Sequence, residues 1–424
     1  MTRGLMKTAS GIAIAAAAGL FATSAMAADL GVGGNCCADL EERVAELEAT
    51  TARKGNRVVS LTVYGRLTHG LLWHDDEDGY REGKLTARDD GGSPTMFGFR
   101  GEASIRPGLT AGYNFEFGVS ADDGTDGVSI RHNYVYLDSE TVGRVSLGHT
   151  SQATDSLYEI NLANTVVVPG AQNEESAFLN PALTSPWAGW NYDGERRQGV
   201  YYRSPTLAGF VFSAGYSHGS ASFSPGGETS YPLHDDDHDD VVGGNPGDPD
   251  HAAVISNPVV DNTDYWEAAL RYAGEFNGVR VAAGIGYRHE DYGAGDEIDV
   301  WLGSGSIMHM PTGLFLSGGY AHADHDGADA EGFWVMAGIE KNFFGPGTTT
   351  LFAEYSESDR EEWDDGKGKF WGLGVVQRID AAATDLFVKY RHVSTNVDIL
   401  DENDDPLGLQ DDANVVIGGM RIQF

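Results

Sequence analysis

The sequence predicts an all-β protein: a sixteen-stranded, antiparallel, up-and-down transmembrane β-barrel, preceded by a short α-helical coiled-coil segment. Three observations predict it. From Arg57 to the C-terminus the apolar residues alternate with a period of two rather than 3.6. The connections between alternating segments are long and acidic at one end and short turns at the other. The composition combines 57 Gly and 10% aromatics with only 41% hydrophobic residues. A sheet with one face toward lipid and the other toward water has that mixture.

The first element is an export signal, residues 1–27. Arg3 and Lys7 form its positive end, "GIAIAAAAGLFA" its apolar centre, and Ala25-Met26-Ala27 its cleavage site. The apolar run is too short to anchor a helix in a membrane, and no later stretch is long enough to span one as a helix. Residues 28–56 read as a periplasmic linker. Within it Leu40, Val44, Leu47 and Thr51 recur at coiled-coil spacing, under two heptads long. Such a seam is too short to be stable alone and needs a larger body to hold copies together. Cys36 and Cys37 are adjacent, so bridges to other chains or free thiols are expected rather than a strained bond between neighbours.

The barrel is expected over 57–424. Its strands are read near 58–72, 95–106, 109–120, 127–138, 143–150, 197–204, 207–218, 263–273, 278–290, 297–309, 313–323, 331–341, 348–357, 367–379, 384–396 and 412–424. Even-to-odd connections are short: Pro107-Gly108, Ser139 to Val142, Ser204 to Leu207, Gly274 to Gly278, Met310 to Gly313, Phe344 to Gly347 and Asp380 to Ala383. The connections near 73–93, 218–262, 357–367 and 397–411 carry most of the acid runs. The chain's formal charge is −36, which excludes nonspecific nucleic-acid binding, since that needs a basic surface. Trp73, Tyr113, Tyr216, Trp266, Tyr287, Tyr320, Trp371 and Tyr390 near strand ends suit the aromatic belts of a membrane barrel. The last residue, Phe424, ends an alternating strand in which Val416, Gly418, Met420 and Ile422 share its face.

Four stretches in order, "SLTVYGRLTHGL", "FGFRGEASIRPGLTAGYNFEF", "RHNYVYLDSETVGRVSLGH" and "GVYYRSPTLAGFVFSAGY", resemble the trimeric porins of Gram-negative outer membranes, most closely the alphaproteobacterial ones. The resemblance implies a homotrimer in the bacterial outer membrane, among lipopolysaccharide and lipid, with the N-terminal segment periplasmic. It implies a passive pore for small hydrophilic solutes, with no cofactor. It also implies that the last strand closes the barrel against the first, and that Phe424 belongs to a signal read by the outer-membrane assembly machinery.

In that family the third external loop folds into the pore, which corresponds here to about 151–196. Its acidic side of the constriction is then expected from Asp155, Glu159, Glu174 and Glu175. The basic wall opposite is expected from Arg131 and Arg203, which align by local motif, and from Arg66, Arg100 and Arg271, which share lumen-facing parity. The loop lacks the family's proline-acid-aromatic-glycine signature, and "VPGAQNE" is a loose counterpart. With acidic mouths on every long loop, mild cation selectivity is expected.

His234, Asp236 and His238 in "HDDDH" are weak metal candidates, better read as a solvated acidic loop that associates loosely with Ca²⁺. Two alternatives belong to other classes. One is a structural or adhesive barrel whose acidic loops bind divalent cations. The other is an outer-membrane hydrolase drawing on His69, His74, His132 and His149.

Overall fold

The computed structural model describes residues 58–75, 86–89, 94–120, 127–166, 192–218, 264–291, 297–325, 329–360, 366–395 and 412–424. The expected signal, linker and coiled coil, with Cys36 and Cys37, lie outside the described residues. So do Glu174, Glu175, His234, Asp236 and His238.

Among the described residues seventeen strands form one sheet. They are β1 (Thr62–Asp75), β2 (Thr86–Asp89), β3 (Met96–Arg106), β4 (Leu109–Ser120), β5 (Gly127–Ser139), β6 (Gly143–Ser151), β7 (Arg196–Arg203), β8 (Phe210–His218), β9 (Asp264–Phe276), β10 (Val279–Asp291), β11 (Glu297–His309), β12 (Leu314–His325), β13 (Ala330–Lys341), β14 (Thr349–Arg360), β15 (Gly366–Ile379), β16 (Thr384–Thr395) and β17 (Asp412–Gln423). The barrel is nonetheless sixteen-stranded. β2 pairs with residues 69–72 of β1 and β3 with residues 62–66, so the two occupy a single course of the wall. β17 pairs with β1 from Arg66↔Gln423 to Asp75↔Asn414, and the sheet closes.

Several boundaries differ from the sequence reading; β9 runs to Phe276 rather than 273 and β14 to Arg360 rather than 357. The first strand begins at Thr62 rather than 58. The connection read at 73–93 contains β2. The strand read from 207 begins at Phe210. There Leu207 and Phe210 exchange two backbone hydrogen bonds of 2.9 Å across Ala208 and Gly209, both at positive φ (50° and 92°). That geometry makes a tight turn and takes Leu207 out of the strand.

Alternation sorts the side chains as a barrel in lipid requires. On β1, Val63, Leu67, Leu71 and Trp73 are exposed, while Thr68, Leu72 and His74 are buried inside. From β8 to β15, Tyr216, Trp266, Trp301, Tyr320 and Trp371 stand outward, and Tyr287 shares the outward face of β10 with the exposed Ile285. Several of these tyrosines donate to carboxylates one step beyond the belt: Tyr216 to Asp264 (2.7 Å), Tyr287 to Asp299 (2.6 Å) and Tyr320 to Glu331 (2.8 Å). Each ring lies against an apolar layer and its hydroxyl against a polar one, as at a membrane interface.

The interior is less uniformly polar than a simple water-filled barrel. From β11 to β17 the inward positions include Val300, Leu302, Met308, Phe315, Trp334, Phe352, Phe370, Phe387, Val415 and Ile417, all buried. Each such side chain contributes on the order of 1.5–3 kcal/mol relative to exposure. Half the wall therefore carries a covered apolar core, and part of its cover is the connection between β6 and β7.

At the seam Gly65 and Phe424 exchange backbone hydrogen bonds of 2.9 and 3.0 Å. A Cβ on Gly65 would lie 2.6 Å from Phe424 Cζ and 2.7 Å from the Met96 carbonyl oxygen. The terminal ring rests in the space that Gly65 leaves. Gly65→Val is expected to cost about 1–3 kcal/mol by overpacking and to lower the temperature at which the folded barrel loses its compact gel mobility. Phe424→Ala is expected to lower the yield of folded barrel in the membrane, and unchanged yield and heat stability would remove both residues from the seam.

Candidate functional site

The described part of the β6–β7 connection runs inside the barrel and crosses the wall from β9 to β17. Its polar backbone needs partners wherever it leaves water, and inward side chains supply them in order. Glu267 on β9 accepts from the backbone N–H of Ala153, from Thr154 N (2.9 Å) and from Thr154 Oγ1 (2.7 Å). Ser304 on β11 donates to the Leu157 carbonyl (2.6 Å) and accepts from Ile160 N (2.9 Å). Ser306 accepts from Leu162 N (3.0 Å), and Ser317 on β12 donates to Asn161 Oδ1 (3.0 Å). Trp334 Nε1 on β13 donates to the Tyr158 carbonyl (2.8 Å). Asn164 ends the path: its N–H donates to Glu340 (2.7 Å) and its amide to Asp385 (2.9 Å), and its Oδ1 accepts from Arg421 (2.9 Å).

Steric room is built into the same wall. A Cβ at Gly284 or Gly286 would strike the end of the Leu157 side chain, so a larger residue there would have to displace that side chain. The base of the loop is closed by Gln152 and Glu195: Gln152 N donates to the Glu195 carbonyl (2.9 Å), and Glu195 N to Gln152 Oε1 (2.7 Å). Tyr158 N donates to Asp193 Oδ1 (2.5 Å), and Arg288 to the Asp193 carbonyl (2.7 Å).

The expected site residues divide into three groups. Asp155 and Glu159 lie on the loop, within electrostatic reach of Arg196, which also feels Arg131 and Glu116. Arg66, Arg100, Arg131 and Arg203 lie on β1, β3, β5 and β7, away from the loop's anchoring wall. Arg131 Nε pairs with Glu116 (2.9 Å), which also accepts from Tyr64 (2.9 Å). An irregularity in the β4–β5 register leaves Arg131 unpaired between Ile130 and His132, so Arg131 and His132 both reach Glu116. Arg66 Nε donates to the Pro94 carbonyl (2.9 Å), and Arg100 lies over the Tyr64 ring (4.9 Å). Arg203 faces Arg144 in register, and Arg144 is held by Asp138 (2.5 Å).

Arg271 forms the third group and corrects the sequence reading. It does not face the loop across the lumen. It lies beneath it, donating to the carbonyls of Ala153 (2.7 Å) and Asp155 (2.6 Å). Parity placed it inside the barrel, but parity cannot tell a free wall from one the loop covers. The loop anchors Glu267, Ser304, Ser306, Glu340 and Asp385 were missed for a related reason. Their signal was present, since they are polar residues at inward parity among apolar ones.

The four histidines do not converge on one site. His69 is on the exposed outer face of β1, and His74 is buried inside. His132 lies 3.9 Å from Glu116, and His149 follows Gly148 on the neighbouring strand. Among the described residues no group of His, Cys, Asp or Glu is arranged to hold a metal ion.

Burial holds the Asp155 and Glu159 carboxyls above the ordinary carboxylate range; at Asp155 Arg196 works in the opposite direction. Asp193 is pushed well above that range by burial, and Glu159 adds to the effect. A raised carboxyl pKa means that charge is lost at a higher pH than on a solvated acid.

A family model described as Gram-negative porin matches residues 13–398. No curated protein matches the chain by sequence. Among solved structures, an anion-selective porin from Comamonas acidovorans aligns with a TM-score of 0.57 at 18% identity, covering 86% of this chain and 100% of that one. The outer membrane channel DcaP of Acinetobacter baumannii gives 0.56 at 11%, covering 88% and 100%. OmpT of Vibrio cholerae, an outer membrane protein solved in a trimer form, gives 0.53 at 14%, covering 87% and 100%. At these identities the likeness to the solved structures establishes the fold.

Two outcomes follow from this geometry. Glu267→Leu removes three hydrogen bonds at the loop's first anchor, at about 1.5–3 kcal/mol each for a charged acceptor. It is expected to raise single-channel current and its noise in a planar bilayer, whereas a quiet channel of unchanged current would mean that the loop does not depend on that anchor. On acidification from neutral pH, the K⁺/Cl⁻ permeability ratio is expected to begin falling above the ordinary carboxylate range, as Asp155 and Glu159 take up protons. Asp155→Asn with Glu159→Gln should remove that early phase; a variant that keeps it would place the titrating groups elsewhere.

Proposed function

The chain belongs to the Gram-negative porin family and is a bacterial outer-membrane β-barrel, and we propose that it forms a passive, water-filled pore whose narrow section lies between the loop acids and the basic wall of β1–β7. It is a channel protein and not an enzyme. The observation that carries the reading is the placement of the loop. Its described part lies against β9–β17 by a series of hydrogen bonds, and among the described residues no hydrogen bond joins it to Arg100, Arg131 or Arg203. Solutes then pass a gap with Asp155 and Glu159 on one side and Arg66, Arg100, Arg131 and Arg203 on the other. Opposed charges fixed in a narrow aqueous space sort solutes by charge and size.

The finer reading is mild cation preference. Two of the wall's charges are already compensated, Arg131 by Glu116 and the neighbouring Arg144 by Asp138. The chain as a whole carries a formal charge of −36, so the acidic long connections at the mouth set the sign of the field. Screening limits that influence to about 8 Å at physiological ionic strength, and the preference should therefore be small and decline as salt rises.

A homotrimer suits the chain, as the trimer form of OmpT supports for its fold. Lipopolysaccharide around the outward aromatic belt, the assembly machinery at the Phe424 strand, and loosely associated Ca²⁺ at the acidic connections complete the proposed partners.

The test is a planar-bilayer recording in a KCl gradient. Stable open steps without added substrate, with a reversal potential on the cation side, are expected. Open steps with anion preference would show that Arg66, Arg100 and Arg203 outweigh the mouth. A barrel that never opens would favour a structural or adhesive role.

A further inference from the structure

Toward the short-turn rim, the inner wall of β1–β6 lines an open cavity of about 330 Å³. Thr62, Arg100, Glu102, Asn114, Tyr134 and Tyr136 are among its lining residues, and Arg144 borders it. Its position follows from the topology. Arg144 is the second residue of β6 after a short turn, and Glu102 lies close to the turn at 107–108.

The charges in this cavity are of two kinds. Arg144 is committed: Asp138 holds it at 2.5 Å, and it lies over the Tyr136 ring at 4.0 Å. Arg100 and Glu102 are not. Among the described residues Arg100 touches only the Tyr64 ring, and Glu102 makes only backbone hydrogen bonds, to Ser60. The two are i and i+2 on β3, so both side chains leave the same face from Cα atoms about 7 Å apart. They form no salt bridge with each other. A free cation and a free anion therefore border one small space, with zero net charge between them. Among the described residues the Tyr134 and Tyr136 hydroxyls make no hydrogen bond, and their rings lie 6.2 Å apart.

We propose that this cavity is a subsite for a zwitterionic solute, an amino acid or short peptide, with its carboxylate on Arg100, its ammonium on Glu102 and an apolar side chain beside the Tyr134 ring. The inference rests on the pore reading, because the cavity is lined from the inner face of the wall. Charge decides the class. A site for plain anions would carry excess positive charge, and here the compensation of Arg144 leaves one charge of each sign. Guanidinium–carboxylate and carboxylate–ammonium pairs are charge-assisted contacts. Aromatic faces add affinity for planar or cationic groups. The volume is at the small end for a ligand pocket and suits one small molecule.

The experiment compares three probes of one skeleton: phenylalanine, 3-phenylpropionate, which lacks the ammonium, and phenethylamine, which lacks the carboxylate. Each is titrated against K⁺ current in a planar bilayer, and against the detergent-solubilised protein by equilibrium binding. Phenylalanine is expected to block saturably, with a half-blocking concentration about tenfold below either analogue, one charged contact being worth about that factor. In Arg100→Gln phenylalanine should fall to the level of phenethylamine, and in Glu102→Gln to the level of 3-phenylpropionate. Equal half-blocking concentrations for the three probes would overturn the proposal, as would 3-phenylpropionate as the strongest blocker. Open channels with no block and no equilibrium binding would overturn the subsite and leave the pore standing. Binding without open channels would keep the subsite and contradict the pore.

Discussion

In a lipid layer no backbone N–H or C=O can be left to water, and each unmet group costs several kcal/mol. Everything else in this molecule is arranged around that constraint. The sheet has no free edge because β17 returns to β1 over its length, and the terminal Phe424 completes the seam at Gly65. The alternation of side chains follows at once. Once every backbone group is paired within the wall, only side chains distinguish its two faces, and they do so residue by residue.

Closure leaves a second problem inside. A wide barrel lined uniformly by polar groups would be an open hole, and one lined by apolar groups would be unstable in water. This chain divides the lumen into two arcs. From β9 to β17 the buried inward positions mix apolar residues with ion pairs such as Arg391–Glu354, and several of the polar residues receive the loop's backbone. From β1 to β7 it carries tyrosines and arginines. The loop thus supplies apolar cover to one arc and carboxylates to the other. Its anchors are spread over many strands, so its position is tied to the barrel as a whole rather than to one hinge. Ser156 and Val166, both at positive φ (59° and 63°), show that the loop backbone accepts strain to follow this path.

Much of this was legible in the sequence because the governing period is two. Fifteen connections and sixteen courses of the wall could be read from alternation and turn residues, and the strands read at 109–120 and 297–309 have the same bounds in the structure. Phe424 was legible because a strand that ends on an apolar residue has to be paired. The two-arc division was not. Period two tells inside from outside, but it says nothing about which inside positions a distant loop covers. Arg271 and Arg100 share the same lumen-facing parity, yet one holds the loop from beneath and the other lies on the opposite arc. Val300, Leu302 and Phe315 looked like ordinary strand residues because both faces of those strands are apolar. Only the insertion of polar residues such as Ser304, Ser306 and Glu340 among them marked the place where backbone would be received. The free pair Arg100 and Glu102 was half legible: its spacing was visible, but the absence of partners is a property of the fold.

The central claim is that the loop divides the lumen into a covered arc and an open one. Thiol accessibility through the open pore tests it most directly. Cysteine placed at Arg203 on β7 and at the fully buried, inward-facing Ala321 on β12 would each be exposed to a small, charged, water-soluble methanethiosulfonate during a bilayer recording. Stepwise change of current for Arg203→Cys, with none for Ala321→Cys, is the result expected here. Reaction at both positions at comparable rates would contradict the division, because it would mean that water and solutes reach the wall beneath the loop.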